Sequence, residues 1–136
     1  MDKELVKEYK TRFKSLYDYM VEKGFTCKPV PKVILRDVEQ DCPDIFARTG
    51  HFDPNLNAIV IYVRGRAIKD CARTFAHELI HWKQQCDGDI EKSGYSSDKI
   101  TEDKNLIHLE AEAYLKGNMA FRSWTEFESK KTTANS

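Results

Sequence analysis

An α+β fold is predicted for this 136-residue chain by three features of its sequence. Stretches at both ends repeat apolar residues at three- and four-residue intervals, the period of an amphipathic helix. A run of β-branched residues, Asn57-Ala-Ile-Val-Ile-Tyr-Val63, follows a Pro-Asn turn signal and reads as a strand. A further helical stretch carries His77-Glu78-Leu79-Ile80-His81. The expected order is an N-terminal helix, a small antiparallel sheet or hairpin, an H-E-x-x-H helix and a C-terminal helix bearing glutamates.

The length suits one domain, assigned to residues 1–128, with residues 129–136 as a polar, disordered tail. Basic and acidic residues balance at 22 each, so bulk charge points to neither nucleic acid nor an anionic membrane as partner. No apolar run approaches transmembrane length, and Met1-Asp-Lys-Glu4 does not open a signal peptide. Cysteines 27, 42, 71 and 86 show no C-x-x-C spacing. On one helix Cys71 and Cys86 would stand about 22 Å apart, beyond disulfide reach. All four are therefore read as reduced thiols, and the compartment as the cytoplasm.

The first helix is placed at 3–22, with Leu5, Val6, Tyr9, Phe13, Leu16, Tyr17 and Met20 as its apolar stripe and Gly24 at its C-cap. Val33-Ile34-Leu35 reads as a short strand after two prolines, and 37–44 as a loop. Ile45–Phe52 is a second strand, turned by Asp53-Pro54-Asn55 into the strand at Asn57–Val63. Arg64-Gly65-Arg66 leads into the next helix, with Asp70 as its N-cap, Lys83 near its end and Gly88 as its stop. Asp87–Asp103 is a long surface loop. The last helix is placed at Asp103–Glu126.

His77 and His81 lie four residues apart, so on a helix both imidazoles face one way and can hold a single metal ion. Glu78 adjoins them, close enough to act on a metal-activated water without binding the metal. A catalytic zinc site uses three protein ligands and leaves a place for water. Glu110 and Glu112 of the last helix point about 200° apart, so only one can face the metal. Glu110 shares its face with Leu106, Ala113, Tyr114, Gly117, Phe121 and Trp124, an apolar set. A carboxylate there needs a partner or a metal, which favours Glu110. Ala113 and Gly117 would let that helix approach the H-E-x-x-H helix closely. Glu112 reads as a surface residue paired with Lys116. Asp87, His108 and His51 are the remaining candidates for a third ligand.

On His77-Glu78-x-x-His81 and the Glu110-x-Glu112-Ala113-Tyr114 neighbourhood, the chain resembles gluzincin-type zinc metallopeptidases, in particular their small single-domain (minigluzincin-like) forms. The Glu-x-Glu-Ala block is also similar to one in short phage-encoded peptidase-like proteins. The resemblance covers roughly residues 1–127 by organisation, although only the two short blocks match by residue. It implies Zn2+ on His77, His81 and Glu110, Glu78 as general base, and hydrolysis of a peptide or protein substrate. It also implies an extended substrate on an edge strand, either the strand at Asn57–Val63 or its hairpin partner. Tyr114 and Tyr95 are candidate donors to the oxyanion. The chain departs from the family in having no recognisable specificity subdomain. Two other classes compete: a catalytically silent zinc-binding structural or partner-binding module, and a helix-and-hairpin domain whose motif is accidental. An intact Glu78 weighs against the former, since stability alone needs no base beside the metal.

Overall fold

A computed structural model describes residues 2–25, 30–37, 49–87 and 104–134. Their elements are α1 (Lys3–Glu22), β1 (Lys32–Arg36), β2 (Gly50–Asp53), β3 (Ala58–Tyr62), α2 (Ile68–Cys86) and α3 (Lys104–Ala134). The class is α+β, as the alternation of periods indicates.

The helix α1 starts at Asp2, whose carboxylate accepts from the Glu4 amide at 3.0 Å. It ends where Gly24 takes φ +103°. Tyr9, Phe13, Leu16 and Met20 form its buried face, whereas Leu5 at the first turn stays 37% exposed. That face packs on α2 through Phe13 against Phe75, ring centroids 4.6 Å apart, and Tyr17 against Trp82 at 5.9 Å. It meets α3 through Trp124 Nε1, which donates to Ser15 Oγ at 3.0 Å, and through Ser15 Oγ, which donates to Glu128 at 2.6 Å.

The sheet is mixed, in the order β1-β3-β2, which corrects the antiparallel expectation. β2 and β3 form the expected antiparallel hairpin, with Phe52 opposite Ile59. Asp53 closes the turn by accepting from the amides of Asn55 and Leu56. β1 runs parallel to β3, with Ile34 opposite Val60. The chain therefore passes along β1, returns on the far edge as β2, and then fills the gap with β3. The physical reason lies in composition. β3 is the longer apolar run and, among the described strands, the one buried on both faces. Ile59 and Ile61 are fully buried and Val60 is 8% exposed, against 40% for Val33 and Ile34 of β1. Such a run belongs at the centre of a sheet. The edges are thus β1 and β2.

Three further expectations are corrected. Ala67, not Asp70, occupies the N-cap of α2 and makes no side-chain capping bond. Arg66 organises that corner instead: its guanidinium donates to the carbonyls of Thr49, Tyr62 and Asp70 and to Thr74 Oγ1. The last helix runs on to Ala134, beyond the Glu126 end expected for it. The thiols also divide. Cys71 is free and buried, whereas Cys86 is disulfide-bonded, to a partner outside the described residues. Helix geometry excludes only the pairing of Cys71 with Cys86; it does not restrict what another part of the fold brings to Cys86. The compartment inferred from four reduced thiols loses that support. Among the described residues no helix is long and apolar enough to cross a membrane. The loops expected at 38–44 and 88–103, the strand start at 45–48 and the Gly88 stop lie outside the described residues.

Candidate metal centre

The site forms on the seam between α2 and α3. Residues four apart on α2 differ by only about 40° in direction, which sets His77 and His81 side by side with ring centroids 5.0 Å apart. His81 is buried, with 1% of its side chain exposed, and His77 lies nearer the opening at 15%. From α3, Glu110 reaches both rings. Its Oε1 lies 2.7 Å from His77 Nε2, and its Oε2 lies 3.1 Å from His81 Nε2. Glu78 Oε1 stands 4.0 Å from His77 Nε2.

The close approach of the two helices has a steric cause. A Cβ at Gly117 would lie 2.9 Å from the His77 Cα and 3.1 Å from its amide nitrogen. Only a residue without a side chain lets α3 pass the backbone of α2 at this height. Ala113, fully buried, keeps the seam narrow one turn earlier. Leu109, Ala120, Phe121 and Trp124 complete the buried face of α3.

Two opposed effects set the charge at the centre. Burial pushes the Glu110 carboxyl up, but the hydrogen bonds and positive charge of His77 and His81 outweigh it and hold Glu110 down to about 2. Burial works against a charged His81, yet its bond to Glu110 and the negative charges of Glu78 and Glu110 raise it overall. Tyr114 is raised by burial and by the charges of Glu110 and Glu78.

Ligand atoms of His77, Glu78 and His81 lie within 4.8 Å of one another, so this group could hold a metal ion. The residues fit one chemically: two imidazole nitrogens and a carboxylate form a donor set for a borderline divalent cation. Ligand atoms about 2.0–2.1 Å from a tetrahedral cation stand about 3.3 Å apart. Of the two Glu110–imidazole distances, 3.1 Å to His81 is near that spacing and 2.7 Å to His77 is shorter.

The other residues singled out from the sequence lie elsewhere. Glu112 pairs with Lys116 at 3.3 Å and also accepts from Gln84. Asp87 pairs with Lys83 at 2.9 Å, His108 is exposed, and His51 lies on β2 with its ring 6.3 Å from Tyr62. Tyr114 packs its ring against His77 at 4.5 Å and stays 59% exposed, unlike the buried neighbours with which it was grouped. Tyr95 is outside the described residues. From the sequence Gln84 reads only as a polar neighbour of the histidines, without a role; in the fold it is 2% exposed and touches His81. Its spacing from His81, one helical turn, was the available signal.

No protein-family model matches the chain, and neither the curated proteins nor the solved structures include a match.

Proposed function

We propose that this protein is a small zinc-dependent metallopeptidase in which His77, His81 and Glu110 hold the metal and Glu78 is the general base. The observation that carries the reading is the Glu110 carboxylate, brought from a separate helix to both Nε2 atoms while Glu78 stands beside the group, 4.0 Å from His77. Two imidazoles and one carboxylate are the ligands of a catalytic rather than a structural zinc site.

A zinc ion held there supplies Lewis acidity, which makes water more acidic near neutral pH and polarises a carbonyl. Glu78 accepts the proton of the attacking water and returns it to the leaving amine as the peptide bond breaks. Its position inside the seam suits that task, since it is 6% exposed and stands 4.0 Å from His77 Nε2. Tyr114, at the mouth, presents a hydroxyl that can donate to the developing oxyanion. An extended peptide adds to β2, the antiparallel edge. The Thr49 hydroxyl, at the start of that strand, lies 3.2 Å from Thr74 Oγ1, one helical turn before His77.

The test combines metal analysis with cleavage of a peptide library. Wild-type protein should carry stoichiometric zinc and Glu110→Ala little. Glu78→Gln should retain zinc and lose cleavage by about 100-fold or more. Zinc without cleavage in the wild type would favour the silent metal-binding module. Absence of zinc binding would remove both readings.

A further inference from the structure

Gln84 lies one helical turn beyond His81, outside the H-E-x-x-H motif, and its side-chain amide has a partner at each end. Nε2 donates to the Leu109 carbonyl at 3.0 Å and to Glu112 Oε1 at 2.9 Å, both on α3. Oε1 lies 2.9 Å from His81 Nδ1. Neither α3 partner has a proton to offer. One is a main-chain carbonyl. The other is a carboxylate paired with Lys116 at 3.3 Å. The amide can therefore sit only one way round, with its nitrogen toward α3 and its oxygen toward His81.

That orientation fixes the imidazole. A carbonyl oxygen only accepts, so His81 Nδ1 must carry the proton that bridges to Gln84. Nε2, on the other side of the ring and 3.1 Å from Glu110, is then the ring position whose proton a cation can displace. A ring that flipped, or that carried its neutral-state proton on Nε2, would present no lone pair there.

We infer that Gln84, oriented by Glu112 and the Leu109 carbonyl, is a positioning residue that fixes the tautomer of His81 and so sets how tightly the centre holds its metal. The part concerning the metal rests on the proposed zinc site; the part concerning the tautomer does not. Glu110 and Glu112, two residues apart on α3, thus serve one histidine from both sides. Glu110 meets Nε2 directly, and Glu112 acts on Nδ1 through an amide.

The test uses the full-length protein with zinc affinity measured by chelator competition and the imidazole nitrogens observed by NMR. Gln84→Met keeps the side chain's length and removes its acceptor. It should weaken zinc binding by about 10–100-fold and abolish a slowly exchanging Nδ1–H signal of His81. Glu112→Gln retains an acceptor for the amide and should stay closer to wild type than Glu112→Leu in both readouts. Glu112→Leu, with 30% of the native side chain exposed, should give part of the Gln84→Met loss. Equal affinity and an unchanged ring signal in Gln84→Met would overturn the inference while leaving the zinc site intact. If wild-type protein takes up no zinc, the proposed function falls, and the NMR of the metal-free neutral ring alone decides the tautomer. Nδ1–H in wild type, lost in Gln84→Met, upholds it; Nε2–H in wild type overturns it.

Discussion

Tyr9 shows how far one buried hydroxyl departs from solution behaviour. It is 2% exposed, with its oxygen 3.9 Å from Cys71 Sγ. Burial, and then the neighbouring thiol, push it from 10.0 to about 12. The phenol is therefore neutral in the folded state at pH values where the unfolded chain ionises. Its contribution to stability is complete below pH 10 and is lost as the pH rises from 10 through 12. Tyr9→Phe keeps the ring and removes the titration, so urea midpoints measured from pH 9 to pH 12 should fall less steeply in the variant. Curves of equal slope would mean that the hydroxyl is hydrated. At the same scale, the Glu110 carboxylate owes its low pKa to the two imidazoles and not to exposure, so it is charged and ready for a cation throughout the neutral range.

At the scale of elements, the seam between α2 and α3 decides whether the three proposed ligands meet. Replacing glycine by alanine inside a helix ordinarily adds about 1 kcal/mol of stability. At Gly117 the added methyl would stand 2.9 Å from the His77 backbone, which cannot give way as a flexible side chain would. Overpacking of this kind costs about 1–3 kcal/mol, so the steric effect wins. Gly117→Ala should therefore lower the melting temperature and weaken zinc binding about tenfold or more, since a displacement of under an ångström is enough to misplace Glu110. Thermal melts and chelator competition on the same preparation check both. A more stable variant with unchanged affinity would show that the helices slide apart without cost. The sheet contributes a different constraint: among the described residues β3 is central, β1 and β2 are the edges, and of these β2 is the one antiparallel to its neighbour.

For the whole molecule, the proposed metal ligands come from helices far apart in sequence, so an unfolded chain does not present them together. Binding is then linked to folding. At free zinc a thousandfold above Kd the folded state gains about 4 kcal/mol, which for a chain of this size raises the melting temperature by about 10 °C. Chelation of the loaded protein should reverse that rise, as read by calorimetry. Melting curves that coincide for loaded and verified metal-free protein would remove the link.

Periodicity alone determined α1, the core of α2 and the β2–β3 hairpin, because an amphipathic repeat and a turn signal are local properties of the chain. The spacing of His77 and His81 is equally local, since helix geometry brings them together wherever the helix is placed. The burial argument for Glu110 was also available, as a charge on an apolar face demands a partner. The tertiary structure decided the rest. Whether β1 pairs with β3 or β2 depends on which strand is covered on both faces, and that is a property of packing. Arg66 displaced Asp70 as the organiser of the α2 start because the carbonyls it binds come from three separate segments. Cys86 entered a disulfide that no helical spacing forbids. Gln84 looked like a polar neighbour until Leu109, Glu112 and His81 surrounded it, because a side-chain amide has no preferred orientation until the fold supplies its acceptors.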